Sequence, residues 1–183
     1  MQWFKVPPKI YFERDSIQYL QEMDDVKDVL IITDNSMMDL GFVNRITEQL
    51  EKRDNEVKYH IFSDVEPDPD ITTVEAGAEA IRKVQPDTII ALGGGSVIDA
   101  AKVMWLFYEQ PETDFRDLVQ KFLDIRKRAF KYPELGEKAQ LICIPTTSGT
   151  GAEVTPFAVI SDRSIDRKYP LADYSLLPTV AII

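Results

Sequence analysis

From about residue 28 onward, short runs of consecutive apolar residues alternate with stretches in which apolar positions return every three or four residues. That alternation predicts an α/β domain built on a mostly parallel sheet. Val29-Leu30-Ile31-Ile32-Thr33 reads as a strand buried on both faces, and Asp34-Asn35-Ser36 behind it is turn and helix-cap chemistry. Phe42, Val43, Ile46 and Leu50 then form one helical stripe, with Arg45, Glu48, Gln49 and Lys52 facing water. Val57 to Phe62 returns as a strand. In Val65-Glu66-Pro67-Asp68-Pro69-Asp70 each proline fixes φ and removes a donor, so this stretch is a loop at a strand end. Ile71 to Val84 is a helix through Val74, Ala78 and Ile81, stopped by Pro86.

Thr88-Ile89-Ile90-Ala91-Leu92 is the next buried strand, followed by Gly93-Gly94-Gly95-Ser96 and a helix with Ile98, Ala101, Trp105 and Tyr108 on one face, closed by Pro111. Asp114 to Lys131 has apolar residues at helical spacing and predicts a surface helix. Leu141 to Ile144 is a further strand leading into Pro145-Thr146-Thr147-Ser148-Gly149-Thr150-Gly151. Phe157 to Ser161 and Lys168 to Leu171, around a polar turn at Asp162 to Asp166, predict a β-hairpin. Val180-Ala181-Ile182-Ile183 reads as the start of a buried strand, and the expectation is a fold that continues past residue 183. No internal repeat or linker interrupts the chain.

The length of 183 residues fits one domain, and 44% hydrophobic residues with 10% aromatics supply a sizeable core. Lys plus Arg (21) against Asp plus Glu (31) gives a net charge of −10. Such a field repels nucleic-acid backbones and anionic lipid, so an anionic ligand must be held by local dipoles. One Cys and one His leave no disulfide and no CxxC site, and point to a reducing compartment. With no apolar run of about 18 residues and no signal-peptide layout, the expected location is the cytoplasm.

The strongest candidate chemistry is the succession of strand, Gly93-Gly94-Gly95-Ser96 and helix. Glycines let backbone approach a ligand closely, and the free N–H groups of the helix's first turn make an anion site. The same residues also fit a plain tight turn in which Ser96 and Asp99 form a pair resembling a capping box. Neither the Gly-Lys-Ser/Thr of a nucleotide triphosphatase loop nor Gly-x-Gly-x-x-Gly is present. Thr146 to Gly151 is a second small-residue loop beyond a strand, suited to ribose, phosphate or amide groups or to an ordinary polar turn. Ligands in open α/β sheets bind beyond the carboxyl ends of strands, so both loops are expected to line one crevice. Asp34 can accept two hydrogen bonds from a ribose and repel a 2′-phosphate, favouring NAD over NADP; an ordinary helix cap fits it equally. Lys102 reads as an intrahelical partner of Asp99. His60 is structural, Glu66, Asp68 and Asp70 form a solvated turn, and Cys143 is inert packing.

Gly93-Gly94-Gly95-Ser96-Val97-Ile98-Asp99-Ala100-Ala101-Lys102 and Pro145 to Thr155 resemble the iron-dependent (group III) alcohol dehydrogenases. Met104 to Glu109, Phe122 to Arg128 and Lys168 to Tyr174 further resemble the alcohol dehydrogenase half of bacterial bifunctional aldehyde-alcohol dehydrogenases. The resemblance runs from about Trp3 to the last residue. It implies a Rossmann-like dinucleotide-binding domain over residues 1–183, belonging to a two-domain unit whose helical domain carries the catalytic iron. It implies NAD as cofactor, with Asp34 at the adenosine ribose and Gly94, Gly95, Ser96 and Asp99 around the pyrophosphate. Thr146, Thr147, Ser148 and Thr150 fall to the adenosine and nicotinamide portions, and Lys168 to the nicotinamide ribose. Pro67-Asp68-Pro69 departs from the family's Pro-Asn-Pro. None of the family's iron ligands, one Asp and three His, is matched here, His60 included. The implied reaction of the whole enzyme converts acetaldehyde or a similar short aldehyde to its primary alcohol. This chain alone is expected to bind cofactor without turnover, and self-association is possible. A glycerol dehydrogenase or dehydroquinate synthase relative, and a non-catalytic nucleotide-binding module, are the alternatives.

Overall fold

A computed structural model of the chain describes residues 5–113, 115, 118 and 134–183. The strands are β1 (Lys9–Tyr11), β2 (Asp28–Ile32), β3 (Lys58–Phe62), β4 (Thr88–Gly93), β5 (Gln140–Pro145), β6 (Phe157–Asp162), β7 (Arg167–Ala172) and β8 (Val180–Ile182). The α-helices are α1 (Tyr19–Glu22), α2 (Asn35–Asp39), α3 (Phe42–Glu51), α4 (Ile71–Val84) and α5 (Gly95–Glu109). Six strands make one sheet in the order β1-β8-β5-β4-β2-β3, with every pairing parallel, and β6 and β7 form a separate antiparallel hairpin. No helix among the described residues is long and apolar enough to cross a membrane.

The apolar runs are unbroken because the sheet is covered on both sides, and the two-residue period of a strand deals alternate residues to opposite faces. Val29 and Ile31 of β2, Ile90 and Leu92 of β4, Ile142 and Ile144 of β5, and Val180 and Ile182 of β8 pack with Leu20, Val43, Ile46 and Leu50. Leu30 and Ile32, Ile89 and Ala91, and Leu141 and Cys143 pack on the other face with α4, α5 and the hairpin residues Ala158, Ile160 and Leu171. Each such aliphatic side chain contributes about 1.5–3 kcal/mol when removed from water. β3, at the edge, is largely exposed, with Ile61 at 41%.

Four features depart from the sequence reading. β1 pairs with β8, and a short 3-10 turn at Ser16–Gln18 runs into α1, both within a stretch that shows no periodicity. Gln49 is buried, not solvated, and its Oε1 accepts from Gln21 Nε2 at 2.6 Å. Helix α5 does not have a single apolar face: Val97, Ile98, Ala100 to Phe107 and Glu109 are all buried, which places it between the sheet, α4 and the hairpin. Lys102 is among those buried residues. The surface helix expected over 114–131, and the Phe122 to Arg128 stretch, lie outside the described residues apart from Phe115 and Leu118, which are helical and buried.

The burial pattern makes a direct comparison possible. Ile90→Ala, which hollows a site with 0% exposure on a central strand, is expected to lower the unfolding free energy by about 2–5 kcal/mol. Ile61→Ala, on the exposed edge, should stay within about 1 kcal/mol. Urea midpoints of the two variants check the contrast, and equal losses would contradict this assignment of edge and centre.

Candidate functional site

The chain leaves β2 to form β3 on one side of it and returns to form β4 on the other. The strand order therefore reverses at the β2–β4 seam, and a crevice beyond the carboxyl ends of the strands is expected there. Thr33 Oγ1 donates to Leu92 O at 2.8 Å across this seam, and Thr146 N donates to Gly93 O at 3.0 Å on the β5 side. These bonds bring Asp34, the triple glycine and the threonine loop to one end of the sheet.

Gly93 is obligatory, because a Cβ there would lie 2.6 Å from Val97 Cγ2. At Gly94 a Cβ would lie 3.3 Å from both Thr147 Cγ2 and Thr147 Oγ1, and at Gly95 3.1 Å from Thr150 Cγ2. The two loops, expected to line one crevice, are therefore in contact. Gly94 is the N-cap of α5, and no side chain caps this 15-residue helix. The capping pair considered for Ser96 and Asp99 does not form. Ser96 Oγ instead accepts from Asp68 N at 3.3 Å, and Asp99 Oδ2 accepts from Val159 N at 3.0 Å. The first turn of α5 thus presents backbone N–H groups without a side-chain acceptor, the arrangement that favours an anion. Thr147, Ser148 and Thr150 are exposed beside it, and Thr146 is half-buried.

Asp34 is the N-cap of α2, its Oδ1 accepting from Met37 N at 3.0 Å. The cap reading therefore describes this carboxylate in the free chain. Lys168, on β7, reaches Asp68 Oδ1 at 2.7 Å, and Ser161 Oγ donates to the same oxygen at 3.0 Å. Arg163 adds ion pairs to Asp70 at 3.2 Å and Glu66 at 3.4 Å. The acidic proline turn is thus latched onto the hairpin where a solvated turn was expected, and the Lys168 hydrogen bond holds the Asp68 carboxyl below its usual range. Two cations, Lys168 and Arg163, partner its three carboxylates. Among the described residues no group of three or more His, Cys, Asp or Glu could hold a metal ion. His60 lies on the exposed edge strand β3. Burial pushes the Cys143 thiol up to about 12, in keeping with inert packing.

Lys102 does more than act electrostatically on Asp99 as its expected intrahelical partner. It is fully buried, and its Nζ donates at 2.7 Å to Thr155 O and at 2.7 Å to Phe157 O, while Asp99 bonds the hairpin and not the lysine. The signal was available: within Val97 to Phe107, Asp99 and Lys102 are the sole charges in an otherwise apolar helix, and buried charges require partners. Burial lowers the Lys102 pKa and pushes Asp99 up to about 6, the Val159 N–H and Lys102 pulling Asp99 the other way.

An open parallel sheet reversing at β2–β4, with a glycine turn opening its central helix, defines a Rossmann-like dinucleotide-binding domain. The chain belongs to the iron-containing alcohol dehydrogenase family, whose family model matches residues 7–183. It is 72% identical over 183 residues to the aldehyde-alcohol dehydrogenase of Streptococcus pneumoniae, matching over 100% of this chain and spanning about a fifth (21%) of that enzyme's length. The solved iron-containing alcohol dehydrogenase from Thermococcus thioreducens superposes with a TM-score of 0.85 at 28% identity, over 98% of this chain and 46% of its own. Sulfoacetaldehyde reductase from Bifidobacterium kashiwanohense, solved in complex with NAD+, gives 0.79 at 29% identity, over 100% of this chain and 46% of its own.

The raised pKa of Asp99 has a consequence for stability. Between its ordinary 3.8 and about 6 the folded chain holds more protons at Asp99 than the unfolded chain, so this group's contribution to stability falls as pH rises through that window. Asp99→Asn removes the titration and retains an acceptor for Val159 N. The stability difference, Asn variant minus wild type, is expected to grow by about 1–2 kcal/mol from pH 4 to pH 7, discounted for partial exposure. Chemical denaturation at four pH values measures it; a difference flat with pH would contradict the shift.

Proposed function

We propose that this chain is the NAD(H)-binding part of an alcohol dehydrogenase that interconverts acetaldehyde, or a similar short aldehyde, with its primary alcohol by hydride transfer. The observation that carries the reading is the N-terminus of α5, which no side chain caps and which opens between a glycine cradle and a hydroxyl-rich loop at the sheet's switch point. Membership of the iron-containing alcohol dehydrogenase family supplies the reaction class, and the NAD+ complex of the Bifidobacterium reductase supports the choice of cofactor.

In this reading Gly94, Gly95 and Ser96 give backbone N–H groups to the diphosphate, with Asp99 at its edge. Thr146, Thr147, Ser148 and Thr150 bind the adenosine and nicotinamide portions through hydroxyls that bring no charge. Asp34 turns its second carboxylate oxygen to the adenosine ribose, and Lys168 leaves or shares Asp68 to meet the nicotinamide ribose. NAD supplies the hydride acceptor; the residues here bind and orient it. Iron implied by the family does not fit the described residues, whose one His is on the exposed edge. We therefore assign cofactor binding to this chain and expect no ethanol-dependent NAD reduction from it with added ferrous iron; turnover at enzymic rates would refute that assignment.

Fluorescence titration of the chain with NADH tests the reading, with saturable binding expected and silence at millimolar NADH counting against it. Asp34→Ser keeps a good N-cap for α2 while deleting the carboxylate. Lost hydrogen bonds to a charged acceptor are worth about 1.5–3 kcal/mol, so NADH binding should weaken by at least roughly tenfold. Affinity for NADPH should change less, narrowing the preference. An unaltered preference removes Asp34 from the ribose site.

A further inference from the structure

We propose that Lys102 is a positioning residue that sets the gap between the glycine turn and the threonine loop, and so controls how the nucleoside portions of the cofactor are held; this rests on the cofactor-binding reading above. The ammonium group has no solvent exposure and sits in a helix that is apolar on nearly every side. Two charge-assisted bonds of 2.7 Å leave it for Thr155 O and Phe157 O, which lie just past the threonine loop where the chain enters β6. One turn earlier on the same helix, Asp99 Oδ2 takes Val159 N at 3.0 Å. Three backbone groups spanning residues 155–159 are thus stapled to α5, the helix whose first turn is the anion site.

The staple bears on the site because the two loops already touch. Thr147 and Thr150 approach Gly94 and Gly95 to within the space one Cβ would need. From Thr150 the chain reaches Thr155 through Gly151 and the single 3-10 turn Ala152–Val154, so little slack separates the loop from its anchor. Glu153 lies in that turn, buried, with an Oε2 that has no hydrogen-bond partner among the described residues, and its charge favours the protonated form of Lys102. A neutral, apolar side chain at position 102 withdraws the donor from both carbonyls and frees residues 152–157 to move outward, taking Thr147 and Thr150 with them. The backbone N–H groups at Gly95 and Ser96 stay where α5 puts them.

Those different consequences separate positioning from general support of the fold. NADH and inorganic pyrophosphate are titrated into the wild-type chain and into Lys102→Met, with circular dichroism as the check on folding. Expected is at least a tenfold loss of NADH affinity with pyrophosphate affinity unchanged within about twofold. Equal losses for both ligands, or none for NADH, overturn the proposal. If Lys102→Met does not fold, Lys102→Gln, which retains one donor for one carbonyl, is expected to give an intermediate selective loss. Failure of both variants to fold makes Lys102 a folding residue and likewise overturns it. A wild-type chain that binds neither ligand defeats the cofactor reading itself, an outcome distinct from a wild type that binds both and a variant that binds them in the same ratio.

Discussion

Helix α5 has almost no solvent face, and the rest of the structure is organised by what a buried helix demands. Its apolar residues must meet the sheet on one side and α4 and the hairpin on the others, which fixes the layers. Its charges must be paired: Lys102 and the half-buried Asp99 find partners in residues 155–159, and buried Glu109 accepts from Lys138 N and Ala139 N. Its first turn must end somewhere that unpaired N–H groups are tolerated, and it ends at the open carboxyl edge of the sheet. One element therefore couples the core, the hairpin and the candidate site, so that a change in how the hairpin packs is felt where a ligand would bind.

Polar pairing over long sequence separation does the rest of the positioning. Asp68 receives Lys168, 100 residues later, and Ser161, 93 residues later, while giving its own N–H to Ser96. Most of these atoms are exposed, so each ion pair contributes little stability. Their value is geometric: the turn, the hairpin and the start of α5 share one chain of contacts. The Asp68 carboxylate gives Lys168 a resident anionic partner, with which any anionic ligand must compete.

The central strands were legible in the sequence because burial on both faces leaves an unbroken apolar run that few other structures require. Strand β1 was not, since Lys9-Ile10-Tyr11 is too short and too exposed to show a period; its place is set by β8, more than 160 residues away in the chain. The place of the glycine turn in the fold was legible for a related reason: glycine after a buried strand and before a helix marks the end of the sheet at which backbone lies open. What could not be read were the partners. Local spacing suggested that Asp99 serves Ser96 or Lys102, whereas its hydrogen bond goes to Val159, 60 residues further on. Gln49 was misjudged likewise, because a helix face open to water in isolation is covered here by α1 and its partner Gln21.

The acidic balance of the chain looks at odds with an anionic cofactor, and the geometry resolves the conflict by distance. At physiological ionic strength, exposed charges are screened beyond about 8 Å, so most of the net −10 acts weakly at the sheet's edge. Of the nearby acids, Asp68 and Asp70 are already paired with Lys168 and Arg163, and Asp34 spends one oxygen on the N-terminus of α2. What remains at short range is the uncapped first turn of α5, carrying about half a positive charge, a loop of neutral hydroxyls, and Asp99, one of whose oxygens is taken by Val159 N. A small diphosphate can lie wholly within that favourable zone. A polyphosphate backbone or a lipid surface cannot, because its further charges fall outside the zone and meet the acidic exterior. The charge distribution thus leaves one locally favourable zone for a small anion within an acidic exterior.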